Sequence, residues 1–134
     1  MVMSKIPVYF MPGLAASPTI FENIKLPEDQ FEMHFLEWFL PNDKESIESY
    51  ALRMTEKIQD ENPVLVGVSF GGILVQEMAK HIKTQKVIII SSVKSNTEFP
   101  PRLKIARATK AYKLLPTQLL SNVELLVTYA FGNN

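Results

Sequence analysis

No cysteine occurs among the 134 residues, which excludes a disulfide-stapled scaffold and any thiolate metal site. That composition suits a reducing compartment, and a cytoplasmic location is expected. Histidine appears only twice, as His34 and His81. The formal net charge is zero, so the total gives no reason to expect a nucleic-acid partner. No apolar run approaches the roughly 18 residues that a membrane span needs. Lys5 and the short apolar stretch behind it are expected to form a strand in preference to a secretory signal, because Pro7 and Pro12 interrupt the stretch and the charged region is a single lysine. The G-x-x-x-x-G-K-[ST] frame of a phosphate loop is absent, as is any G-x-G-x-x-G. A nucleotide therefore has no anchor, and neither a cofactor nor a metal is expected. There is no internal repeat and no low-complexity segment.

The composition that remains is that of one globular domain able to bury a core, with 46% apolar and 21% charged residues. Charge is unevenly placed. Residues 1–93 hold eight Lys/Arg against twelve Asp/Glu, whereas residues 94–134 hold six against two.

One stretch organises the rest: Val64-Leu65-Val66-Gly67-Val68-Ser69-Phe70-Gly71-Gly72, followed by Ile73-Leu74-Val75-Gln76-Glu77-Met78-Ala79. A short β-branched apolar run predicts a buried strand, and the segment after it has helical spacing. Between them Gly67-x-Ser69-x-Gly71 has the form of a nucleophile elbow. Such a turn projects the serine hydroxyl clear of the backbone. Gly67 and Gly71 flank it because a side chain at either place would collide with the neighbouring strand or helix. The first amide of the new helix then carries the helix's positive end towards any developing negative charge. The bland alternative is a glycine-rich packing turn.

Around that stretch, strands and helices alternate. Residues 6–10 read as a strand buried on both faces, leading into a loop at 11–18 rich in proline and small residues. Ser17 can cap a short helix with Pro18 at its first position, with Ile20, Phe21 and Ile24 facing inward. Residues 31–39 read as a second strand. Asn42 and Glu45 have capping-box spacing, and Ile47, Tyr50, Ala51, Met54 and Ile58 then repeat at helical spacing. Residues 85–91 form a fourth strand whose apolar core resembles an interior one. This rhythm predicts an α/β fold with a parallel sheet of about four strands and right-handed crossovers. Beyond residue 93 the pattern changes to two helices, at 102–115 and 118–131. The first carries a basic stripe of Lys104, Arg107, Lys110 and Lys113, which reads as the wet side of a surface helix. The second is apolar over most of its surface.

The loops at residues 11–14 and 67–71 stand at one end of that sheet, and this pairing resembles the α/β-hydrolase family. The resemblance covers residues 5–93, matching the family's third to sixth strands, and residues 94–134 resemble the start of its helical cap. It implies Ser69 as nucleophile, Phe70 and Leu14 as the two oxyanion-hole amides, and acyl hydrolysis of an esterase, lipase or thioesterase type on a small-molecule ester or thioester. Met11-Pro12-Gly13 stands where the family commonly has a His-Gly form. Transfer to another alcohol or thiol, as in an acyltransferase, uses the same elbow.

The family's order of serine, acid, histidine is not completed here. After Ser69 the sequence contains no aspartate, its carboxylates are Glu77, Glu98 and Glu124, and its only histidine is His81. His81 falls about 16 Å along the helix from the elbow at 1.5 Å per residue, and His34 precedes the elbow as a mid-strand structural residue. The family's sheet order would also leave residues 87–90 as an outer strand with an unpaired edge. The expectation is the front portion of a longer serine hydrolase, cut within its cap. The alternative is an inactive fragment or binding module that self-associates as a homo-oligomer through the fourth strand.

Overall fold

The computed structural model describes residues 4–14 and 16–98. The sequence expectations for helices at 102–115 and 118–131, and for the cap that they would begin, lie outside the described residues. Four strands, β1 (Ile6–Met11), β2 (Phe31–Phe35), β3 (Val64–Val68) and β4 (Lys86–Ile90), form one sheet in the order β2-β1-β3-β4. Every pairing is parallel, with Tyr9 opposite both His34 and Leu65, and Gly67 opposite both Met11 and Ile89. Helix α1 (Ile47–Thr55) connects β2 to β3, and α2 (Phe70–Met78) connects β3 to β4. No helix among the described residues is long and apolar enough to cross a membrane.

Alternation along the strands divides the core into two. On one face Tyr9, Met11 and Leu65 pack with Tyr50, Ala51 and Met54 of α1 and Leu74, Val75 and Met78 of α2. On the other, Val8, Phe10, Val64 and Val66 gather round Phe21. Phe21 belongs to a single 3-10 turn, Pro18–Phe21, capped by the Ser17 hydroxyl with Pro18 at its start, as the sequence suggests. Ile20 does not face inward as expected and is 48% exposed, because so short a turn has only one buried side.

Cover on this second face is therefore thin. Ile88 and Ile90 remain 40% and 41% exposed, beside an open groove of about 520 Å³ lined by apolar side chains of all four strands. β4 carries an interior strand's side chains on both faces, but only Val87 and Ile89 are packed against the helices.

Two further boundaries differ from the sequence reading. β2 stops at Phe35 instead of continuing to residue 39. After Leu36, whose amide donates to the Phe10 carbonyl at 2.8 Å, the chain is drawn off the sheet by α1. Tyr50 donates to the Phe39 carbonyl (2.7 Å), accepts from the Phe39 amide (2.9 Å) and stacks on its ring at 4.4 Å. The capping box at Asn42 and Glu45 does not form. Ser46 caps α1, accepting from the Ser49 amide at 3.1 Å. Glu45 turns instead to Arg53, whose fork binds both carboxylate oxygens at 2.6–3.0 Å. A bidentate pair between opposite charges outcompetes the single carboxylate-to-amide bond that a capping glutamate makes.

Candidate active site

β3 ends at Val68 and α2 begins at Phe70, so Ser69 alone makes the bend between strand and helix. Its backbone sits at φ 54°, ψ −123°, a region that side-chain-bearing residues seldom occupy. Its hydroxyl makes no capping bond to the helix, and the residue is half-buried.

Close packing around the bend explains the flanking glycines. A Cβ on Gly67 would strike the carbonyl of Gly71 and the Cα of Gly72. One on Gly71 would strike the Met11 and Pro12 carbonyls, which places the first turn of α2 directly against the loop after β1. Gly72, which the sequence reading did not single out, is equally bare because the Ser92 side chain occupies the space beside it.

The loop after β1 reaches towards the serine itself, since a Cβ on Gly13 would lie in van der Waals range of the Ser69 side chain. Leu14 follows in the same turn, half-buried. Neither the Leu14 nor the Phe70 amide donates to another group among the described residues. Phe70 opens a nine-residue helix, so its N–H is one of the free first-turn donors at the helix's positive end.

Trp38 holds this loop in place. Its indole N–H donates to the Gly13 carbonyl at 2.7 Å and lies 3.2 Å from that of Pro12, and its ring packs at 5.8 Å on Phe70. Its link to the loop depends on the chain leaving the sheet after Phe35, which no local pattern announces.

The two histidines lie elsewhere. His34 is level with Leu65 in the register, four residues before Ser69 and two strands away. At about 3.3 Å per residue and 4.8 Å per strand, the separation is on the order of 16 Å. His34 stacks on Tyr9 at 4.5 Å, with Glu32 and Asp60 carboxylate oxygens 3.3 and 3.6 Å from its Nε2. Tyr9 itself donates to Asp60 at 2.6 Å, and burial, reinforced by that bond, raises its phenol above the ordinary value. His81 is exposed beyond the far end of α2, its amide bonded to the Met78 carbonyl. The nearest carboxylate on α2, Glu77, pairs with Lys80 at 2.7 Å. No group of three His, Cys, Asp or Glu among the described residues is arranged to hold a metal ion.

β4 contributes the remaining contacts to the bend. The Ser69 amide donates to the Ile90 carbonyl (2.9 Å), and the Ser92 hydroxyl donates to the Ser69 carbonyl (2.6 Å). Gln76 bridges its own helix to the same segment, donating to the Gly72 and Val93 carbonyls at 3.0 and 2.9 Å. The sequence marks Ser92 only as a strand-end serine. The signal that finds it is the sheet order, which sets the end of β4 beside the elbow.

No family profile matches the sequence, and no curated protein matches it. Solved structures do. The chain is similar to the NocB thioesterase domain, seen in covalent complex with a fluorophosphonate nocardicin G analog, at TM-score 0.58 and 17% identity over 98% of this chain and 66% of that one. It is also similar to Est816, an N-acyl homoserine lactone degrading enzyme, at TM-score 0.56 and 17% identity over 95% of this chain and 58% of that one. This chain thus spans less than two thirds of either neighbour's length. What the likeness carries is architecture: the described residues form a four-stranded, helix-flanked portion of an α/β-hydrolase fold.

Proposed function

We propose that this chain supplies the nucleophile half of a serine hydrolase site acting on a small-molecule ester or thioester. The observation that carries the reading is Ser69 alone in a strained strand-to-helix bend, with the Gly13–Leu14 turn packed beside it. Ser69 Oγ attacks the acyl carbon, and negative charge gathers on the former carbonyl oxygen. The Phe70 and Leu14 amides are its donors. The C–O or C–S bond then breaks, the leaving group takes a proton, and water releases the acyl group from Ser69. Each oxyanion donor is worth about 3–4 kcal/mol of barrier in such sites.

Proton transfer needs a base within about 3 Å of the serine. His34 is too distant by register and His81 lies past the opposite end of α2, so neither histidine of the chain serves as that base. Both structural neighbours are hydrolases, one of them seen in covalent complex with a fluorophosphonate analog, and that supports acyl chemistry on this fold.

The test is a reactive fluorophosphonate applied to the chain in concentrated imidazole, which stands in for the missing base. A single adduct mapped to Ser69 and absent from Ser69→Ala is expected. An unmodified Ser69 while other hydroxyls react would refute the reading.

A second reading rests on Ile88 and Ile90, half-exposed on an edge strand with no neighbour on its outer side among the described residues. Under it the chain is a non-catalytic module that associates with a second copy along β4. Light scattering should then show a concentration-dependent oligomer that Ile88→Lys abolishes, and a monomer at every concentration would dismiss it.

A further inference from the structure

The hydrogen bond from Ser92 to the Ser69 carbonyl has a geometric consequence for the neighbouring amide. The Ser69 C=O and the Phe70 N–H belong to one planar trans peptide unit, so they point in opposite directions and turn together. Whatever pins the carbonyl therefore aims the N–H. Ser69 would otherwise set this plane by φ and ψ alone, at values where the backbone has little intrinsic preference to stay.

Three contacts restrain it. The Ser69 amide is held by the Ile90 carbonyl at 2.9 Å, on one side of the residue. On the other, the Ser69 carbonyl accepts from the Gly72 amide at 2.9 Å and from Ser92 Oγ at 2.6 Å. The Gly72 bond is ordinary for a first helical turn, whereas the Ser92 bond spans 23 residues and comes from the segment after β4. Ser91, at φ 49°, makes the left-handed step that brings Ser92 onto the elbow, and Gln76 clamps the next carbonyl, that of Val93. The bare space at Gly72 is where the Ser92 side chain fits.

We propose that Ser92 is a positioning residue: its hydroxyl holds the 69–70 peptide plane so that the Phe70 N–H faces the oxyanion, and by donating to the carbonyl it polarises that N–H as a stronger donor. This rests on the proposed role of Ser69, because only a reaction at its hydroxyl uses the Phe70 amide. Ser92 touches neither substrate nor the reacting atoms.

The experiment uses the full chain with fluorophosphonate and imidazole, alongside amide NMR. Ser92→Ala should lower the first-order labelling constant of Ser69 about tenfold, the scale expected of a displaced but still present donor. The probe's half-saturating concentration and the final extent of labelling should stay unchanged, because loss of folded protein would reduce the extent and leave the rate constant intact. Ser92→Cys keeps the shape with a weaker donor and should fall between the two. It also serves if Ser92→Ala does not fold.

The Phe70 amide proton should move upfield in both variants, reporting the peptide plane independently of chemistry. Wild-type labelling constants together with an unmoved Phe70 resonance in a folded variant would overturn the proposal. If wild type itself is never labelled at Ser69, the functional reading fails separately, and the Phe70 shift alone decides whether Ser92 governs this peptide.

Discussion

Replacing Ser69 by glycine should stabilise the fold relative to alanine, the reverse of the usual order of these two residues. Alanine is the proper reference because the Ser69 hydroxyl makes no capping bond, so its removal leaves the backbone as the main variable. At φ 54° and ψ −123° a residue with a Cβ is held in a sparsely populated region at a cost of about 1–3 kcal/mol. Glycine escapes that cost but loses about 0.5–1 kcal/mol through the greater freedom of its unfolded chain. The balance favours Ser69→Gly over Ser69→Ala by about 1 kcal/mol, or roughly 4 °C in Tm for a domain of this size. Urea unfolding of the two variants, with equal m values, measures the difference directly. Ser69→Ala emerging the more stable by the ordinary glycine penalty would show that the bend stores no strain, and the case for an elbow would go with it.

At Gly71 glycine is again favoured over alanine, here for reasons of space. Helix propensity favours alanine there by about 1 kcal/mol, but its Cβ meets the Met11 and Pro12 carbonyls, which cannot swing aside. Clashes with backbone put the overpacking at the upper end of about 1–3 kcal/mol, so Gly71→Ala should lose about 2 kcal/mol net in urea unfolding. Trp38→Phe should cost about 1 kcal/mol by depriving the Gly13 and Pro12 carbonyls of their donor. It should also speed hydrogen exchange at the Ala16 amide, which closes the same loop on Gly13. Hydrogen bonds from Arg53 lower the Glu45 pKa, so this pair contributes stability above the ordinary carboxylate range and loses it as the pH falls through the lowered value. Glu45→Gln should therefore shrink the drop in urea midpoint between neutral and acid pH; an unchanged drop would contradict the pairing.

Much of this architecture is legible locally. Residues 64–68 are an apolar, largely β-branched run with no polar interruption, and Gly67 and Gly71 mark a place where the backbone is packed too closely for side chains. Those are short-range facts of sterics and periodicity, and the strand order follows once right-handed crossovers and the family resemblance are granted. Other features were misread for reasons equally physical. Glu45 has the spacing of a capping residue, but a guanidinium eight positions on, brought round by the helix, binds it more strongly. Phe39 has a strand's composition, yet Tyr50 takes both of its backbone groups.

The sequence alone determined where a serine would make the bend from strand to helix, because backbone sterics act over a few residues and leave their mark as bare glycines round Ser69. It also determined that neither histidine follows the elbow at a useful distance, since helix rise and strand register are near-constants. What surrounds that hydroxyl was decided only in three dimensions. Trp38 comes from 31 positions upstream and Ser92 from 23 downstream, and each reaches the elbow because parallel strands end at the same edge of a sheet. Directional hydrogen bonds between residues so far apart leave no periodicity for a reader of the chain to find.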